Sequence, residues 1–176
     1  MKRKISLFVI PVLAITVFSS CLYRGINNNP QTLEEERILI KSHIMYLEKE
    51  GCNGGPCNVD TTELGVYYYF RKYGDGLTFP EMGDTLTVTY NGFLIDGTQF
   101  YTTDDLAEGK RNFVFGEEEN VIAGWIDGLK VISKGATVEL IIPSTLGFGS
   151  NWNGIVPPNN TLIFVVTMEN IKKKKD

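Results

Sequence analysis

Apolar and polar residues alternate most cleanly between Asp84 and Leu94, where Leu86, Val88 and Tyr90 fall on one face and Thr85, Thr87 and Thr89 on the other. A period of two over that length predicts a long, half-buried strand. Aromatic and branched residues across Gly65–Lys72 predict another, stopped by Gly74-Asp-Gly76. Further strands are expected at Thr98–Thr102, after the Asp96-Gly97 turn, and at Asn112–Phe115, Thr137–Ile142 and Thr161–Ile171. The spacing becomes helical twice. Leu33, Ile40, Ile44 and Leu47 predict a helix over Thr32–Glu50, with Glu34, Glu35 and Glu36 at the end where the helix dipole favours acids. Val121–Ile132 is the one helix expected among the strands. The fold class is therefore α+β: an antiparallel β half-barrel wrapped around one short helix, with Trp125 facing the sheet, preceded by an N-terminal helix. A segment of roughly 110 residues is long enough to bury one core.

The first twenty residues stand apart from this pattern. Lys2, Arg3 and Lys4 precede an apolar run from Ile5 to Phe18 and then Ser19-Ser20-Cys21, the order of a secretory signal. The run falls short of the about 20 residues that a membrane span needs. Val17-Phe-Ser-Ser-Cys21 resembles the bacterial lipobox, which would make Cys21 the lipid-bearing first residue of the mature chain. An ordinary cleaved signal and an uncleaved anchor are the alternatives, and each places the domain outside the cytoplasm. The expected organisation is a signal over residues 1–20, a tether over 21–31, the helix and a cysteine-containing turn over 32–64, the half-barrel over 65–172 and a basic tail over 173–176.

Charge narrows the partners. The full chain carries a formal net charge of −4, and loss of the leader's three cations leaves −7, which argues against nucleic acid. Lys172–Lys175 reads as a solvated tail, although such a run can also touch anionic surfaces. With Cys21 assigned to lipid, Cys52 and Cys57 flank Asn53-Gly-Gly-Pro56, a sequence that favours a tight turn. In an oxidising envelope they can close a small disulfide loop, and two free thiols are the alternative. No second cysteine pair or nearby histidine completes a zinc site, so no metal or cofactor is expected. The single histidine, His43, is expected on the solvated face of its helix.

Conventional catalytic groups are missing from the half-barrel segment: it has no histidine, no nucleophile elbow and no phosphate-cradling glycine loop. What remains is chemistry that an apolar concavity performs without acid, base or nucleophile. Rotation about an X-Pro bond is of this kind, since its barrier of about 18–20 kcal/mol comes from amide resonance rather than from a bond to be cleaved. A dry aromatic pocket favours the twisted, less polar amide over the planar one.

The succession Gly83-Asp-Thr-Leu-Thr-Val-Thr-Tyr-Asn-Gly92, Asp96-Gly-Thr-Gln-Phe100, Val121-Ile-Ala-Gly-Trp125, Gly128-Leu129, Ile142-Pro143 and Pro157-Pro-Asn-Asn-Thr-Leu-Ile-Phe164 resembles the FKBP-type peptidyl-prolyl isomerases. The resemblance runs from about Gly65 to Lys172, with its motifs in the family's order. The leader and acidic helix are similar to those of bacterial envelope lipoproteins. Position by position, the resemblance implies that Tyr90, Phe100, Val121, Ile122, Trp125, Ile155 and Phe164 line a pocket, with Trp125 as the floor beneath the proline ring. It also implies that the Ile122 backbone N–H binds a substrate carbonyl. Phe113 and Phe115 compete for one further wall position, and both are expected to line the pocket; Val156 is a neighbouring apolar position that can equally be core.

Three departures from the family pattern bear on activity. Tyr101 follows Phe100 where the family usually has an aspartate. Phe148 stands in Ile142-Pro-Ser-Thr-Leu-Gly-Phe-Gly149 where it usually has a tyrosine; the lost hydroxyl removes a ligand hydrogen bond of roughly 0.5–1.5 kcal/mol. The loop Ser150-Asn-Trp-Asn-Gly154 is altered in length and puts Trp152 near the rim, to clamp a peptide or to fill the site. Two functions follow: a lipid-anchored isomerase assisting protein folding in the cell envelope, or a degenerate relative that binds proline-containing or apolar segments without turnover. The expected partners are proline-containing polypeptides, the membrane through lipid on Cys21, and a second copy of the chain if the 32–50 helix packs there rather than on its own domain.

Overall fold

The computed structural model describes residues 32–50, 57–118 and 121–175. The leader, the tether, Cys21 and Cys52 lie outside them. Helix α1 (Leu33–Glu50) opens on Thr32, whose Oγ1 accepts from the Glu35 N–H at 3.2 Å while the Glu35 carboxylate accepts from the Thr32 N–H, also at 3.2 Å. This reciprocal pair satisfies two backbone donors that a helix start otherwise leaves open. The strands that follow are β1 (Asp60–Thr61), β2 (Tyr67–Lys72), β3 (Thr85–Leu94), β4 (Gln99–Thr102) and β5 (Arg111–Val114). After the short helix α2 (Ala123–Leu129) come β6 (Thr137–Ile142) and β7 (Leu162–Lys172).

All strand pairs are antiparallel, in the order β1-β2-β6-β7-β3-β4. Strand β3 pairs with β7 from Thr85 to Leu94 on one edge. Its other edge is divided, with β5 beside Thr85–Val88 and β4 beside Asn91–Phe93. In the gap between them the Tyr90 N–H donates to Thr103 Oγ1 at 3.1 Å, in a 3-10 turn that carries the chain away from the sheet.

The sheet is covered on both faces. On the inner face Leu86, Val88, Val138, Leu140 and Val166 pack with Trp125 and Leu129 of α2. Gly124 lets α2 approach β6, because a Cβ there would lie 2.3 Å from Ile142 Cγ2. On the outer face Leu39, Ile40 and Leu47 of α1 pack on Tyr69, Ile95, Ile141 and Ile163. Strand β6 is therefore buried on both sides, which is why Thr137–Ile142 shows no alternation.

Several expectations change in detail. The apolar stripe of α1 packs on its own domain through Leu39, Ile40 and Leu47, while Leu33 is exposed. His43 is not a solvated surface residue: it faces inward, with Nε2 3.7 Å from Oε1 of the buried Glu139. The same carboxylate accepts from the Tyr69 hydroxyl at 2.8 Å and from Arg71. Helix α2 is shorter than Val121–Ile132 because Ile122 is extended, at φ −66° and ψ 141°. Strand β1, too short to carry a periodicity, extends the sheet N-terminal to Gly65. Cys57 is disulfide-bonded, and its expected partner Cys52 is outside the described residues. Nor is the basic tail simply solvated, since Lys173 Nζ and the Lys174 N–H both donate to the buried Asp84 carboxylate, at 3.0 and 2.9 Å.

Candidate functional site

Where β3's divided edge meets the start of α2, a cavity of about 220 Å³ opens, lined by Tyr90, Phe100, Tyr101, Arg111, Val121, Ile122, Trp125, Phe148 and Phe164. Tyr90 and Phe164 reach it from the neighbouring strands β3 and β7, Phe100 and Tyr101 from β4, Arg111 from β5. Gly92 makes room for the aromatic layer, since a Cβ there would fall 2.7 Å from Phe100 Cζ and 3.0 Å from Phe164 Cε1.

Trp125 is the centre of this layer. It is 5% exposed, with its ring centroid 4.6 Å from Tyr90 and 5.2 Å from Phe164. Phe100 meets Phe164 edge to face at 5.5 Å. Such tilted and edge contacts are the favoured aromatic geometries and hold the rings in fixed orientations. Ile122, the extended residue that caps α2, brings its backbone to the cavity; no acceptor among the described residues takes its N–H.

The polar side of the cavity is one connected group. Arg111 Nη1 donates to the Tyr90 hydroxyl at 3.0 Å, and Nη2 pairs with Glu118. The guanidinium also lies 5.7 Å from the centroid of Phe113. The Tyr101 ring stacks on Tyr90 with centroids 4.9 Å apart and planes 10° from parallel. Burial pushes the Tyr90 phenol up to about 12; the Tyr101 hydroxyl adds to the rise, and Arg111 opposes it. The Tyr90 phenol is therefore not poised to exchange a proton near neutral pH. Among the described residues the cavity lining includes no histidine, cysteine, serine or carboxylate, and its aromatic wall can orient and desolvate an amide.

Eight of the twelve residues expected at the pocket on sequence grounds stand together in the cavity wall. Phe113 and Phe115 do not: Arg111 sits over the Phe113 ring and takes the wall position, while Phe115 is 1% exposed within the core. Val156, 2% exposed, is core as well. Ile155 is 59% exposed, and Trp152 is 68% exposed, so Trp152 does not fill the site. Arg111 is the lining residue that sequence reading missed. Its signal was the strand period, which puts it on the same face as Phe113, two residues on. Among the described residues no group of three or more His, Cys, Asp or Glu side chains is arranged to hold a metal. A second cavity lies on the outer face between α1 and the sheet, where His43, Arg71 and Glu139 already face one another.

Comparison with known proteins agrees with this geometry. Residues 76–169 match the family model described as FKBP-type peptidyl-prolyl cis-trans isomerase. The chain is 39% identical over 114 residues to the FKBP-type peptidyl-prolyl cis-trans isomerase FkpA of Buchnera aphidicola, covering 65% of this chain and 44% of that one. With FkpA of Escherichia coli it shares 36% identity over 117 residues, 65% of this chain and 40% of the relative. It thus spans less than half the length of these relatives. With the Drosophila melanogaster peptidyl-prolyl cis-trans isomerase Fkbp12 it is 38% identical over 106 residues, 60% of this chain and 96% of the fly protein. The crystal structure of FkpA from Escherichia coli superposes with a TM-score of 0.59 at 33% identity, covering 79% of this chain and 62% of that one. The chain belongs to the FKBP-type peptidyl-prolyl cis-trans isomerase family.

Proposed function

We propose that this chain is a peptidyl-prolyl cis-trans isomerase that assists folding of proteins in the cell envelope, held at a membrane by lipid on Cys21. The observation that carries the reading is the aromatic cavity floored by Trp125, with the Ile122 N–H beside it. A prolyl ring set on Trp125 and enclosed by Tyr90, Phe100 and Phe164 places its X-Pro amide in surroundings poor in water. The planar amide is the more polar form and loses more hydration there than the twisted one. Differential binding of the twisted amide lowers the barrier without any proton transfer, and a donor at Ile122 fixes the preceding carbonyl while rotation proceeds. The location rests on the charged leader, its short apolar run and Ser19-Ser20-Cys21.

The experiment is catalysis of X-Pro isomerisation, in peptides and in a proline-limited refolding protein, by the mature chain and its Trp125→Ala variant. Activity that falls at least tenfold in the variant supports the reading; a parent without activity overturns it. The second reading, a module that binds such segments without turnover, is favoured by Tyr101, which lies flat on Tyr90 where the family usually carries an aspartate. An inactive parent that gains activity in Tyr101→Asp would establish that reading.

A further inference from the structure

Glu36 belongs to the acidic first turn of α1, yet it is 3% exposed and lies against the far end of the domain. Its carboxylate accepts the Ser144 N–H and the Ser144 hydroxyl, each at 2.6 Å, and the Thr161 hydroxyl at 2.8 Å. Ser144 and Thr161 are each 1% exposed. Three donors converging on one enclosed carboxylate form a rigid junction, because charge-assisted bonds are short and strong and no water competes for them.

The two residues it joins each adjoin an element that carries a cavity residue. Ser144 begins the 3-10 turn that leaves β6, and its carbonyl accepts both the Gly147 N–H at 2.9 Å and the Gly149 N–H at 2.8 Å. Those two amides flank Phe148, which lines the cavity. Thr161 immediately precedes β7, which carries Phe164 into the same cavity. Gly147 packs against Leu162, the first residue of β7: a Cβ on Gly147 would lie 3.1 Å from Leu162 Cδ1. A single side chain from the N-terminal helix thus clamps the turn bearing Phe148 to the start of the strand bearing Phe164.

We propose that Glu36 is a positioning residue for the cavity: through Ser144 and Thr161 it fixes the Phe148 wall relative to Phe164, so that α1 is part of the isomerase site without touching substrate. This rests on the function proposed above for the site itself. The test compares Glu36→Gln, which keeps the side chain's size, with Leu47→Ala, which weakens α1 packing at the helix's other end, both in the mature chain and below their unfolding temperatures. Amide hydrogen exchange at Gly147 and Gly149 reads the turn directly, whether or not the protein turns over. It should speed up in Glu36→Gln, with β6 and β7 amides unchanged, and stay at parent rates in Leu47→Ala. For an active parent, kcat/KM on X-Pro peptides should fall about three- to tenfold in Glu36→Gln, the equivalent of roughly one hydrogen bond. The fall should sit in KM, and Leu47→Ala should retain the parent value.

Exchange at Gly147 and Gly149 that is unchanged in Glu36→Gln, or raised equally in Leu47→Ala, overturns the proposal. So does an unchanged kcat/KM in an active protein. A parent without activity defeats the proposed function alone, and the exchange comparison still decides the role of Glu36.

Discussion

Replacing Arg111 by methionine separates the electrostatics of the cavity from its shape. The methionine side chain keeps much of the aliphatic stem that covers Phe113. What disappears is the 3.0 Å bond to the Tyr90 hydroxyl and the pairing with Glu118. A hydrogen bond that includes a charged group contributes about 1.5–3 kcal/mol. The ion pair adds less, because Arg111 is 40% exposed and solvent screens it; the surface range of about 0.2–1 kcal/mol applies. Glu118, 14% exposed, is then left with no cation, and its Oε2 has no donor among the described residues even in the parent. The expected loss in unfolding free energy is therefore about 2–4 kcal/mol. Adding Glu118→Gln to the variant removes the orphaned charge and should return about 1 kcal/mol, whereas the same change in the parent should destabilise it. Urea unfolding of all four proteins measures the cycle. Two single losses that simply add, with no recovery in the double variant, would refute the claim that Arg111 and Glu118 act as one unit.

Three more outcomes follow from the geometry. Burial pushes the Glu139 carboxyl up, but His43, Arg71 and Tyr69 outweigh it and hold it below the ordinary value of 4.5. Its contribution to stability is thus complete above that value and is lost as pH falls through the lower, folded value, so Glu139→Gln should flatten the acid limb of a stability–pH curve; an unchanged limb would count against the junction. Gly124→Ala sets a methyl 2.3 Å from Ile142 Cγ2 and 3.1 Å from the Leu146 carbonyl oxygen. Overpacking of about 1–3 kcal/mol outweighs the about 1 kcal/mol that alanine gains over glycine in a helix, so thermal unfolding should show net destabilisation. Asp84→Ala leaves the Glu81 N–H, the Lys174 N–H and Lys173 Nζ without their shared acceptor and should cost about 2–3 kcal/mol by chemical denaturation, with faster proteolysis of the C-terminal tail.

Elements with one wet face were legible in the sequence. The Leu86, Val88, Tyr90 alternation located β3 to within a residue, because solvent on the Thr85, Thr87, Thr89 side enforces the period. The cavity's aromatic residues were found as a set through motif order, which periodicity alone would not have supplied. Buried polar junctions were not legible. Glu36 looked like an ordinary first-turn acid and His43 like a surface histidine, because the partners that bury them, Ser144, Thr161 and Glu139, are distant in sequence and meet them only in the folded chain. Arg111 was overlooked for a related reason: a charge on a short strand reads as solvated until its neighbours Tyr90 and Glu118 are known. Phe113 and Phe115 show the converse, since ring size says that a residue is buried but not whether its exposed edge is covered by another side chain.

The packing of α1 on the sheet's outer face also sets the smallest piece of this protein that can be moved between chains. A fragment begun at Gly65 would keep every residue of the cavity and lose β1 as well as the cover over Tyr69, Ile95, Ile141 and Ile163. Its bared face would favour self-association over solubility. Any gene fusion or shuffling event that transplants the cavity with its supporting sheet covered must carry the chain from Thr32 onward. The N-terminal helix is, for inheritance and engineering alike, inside the domain.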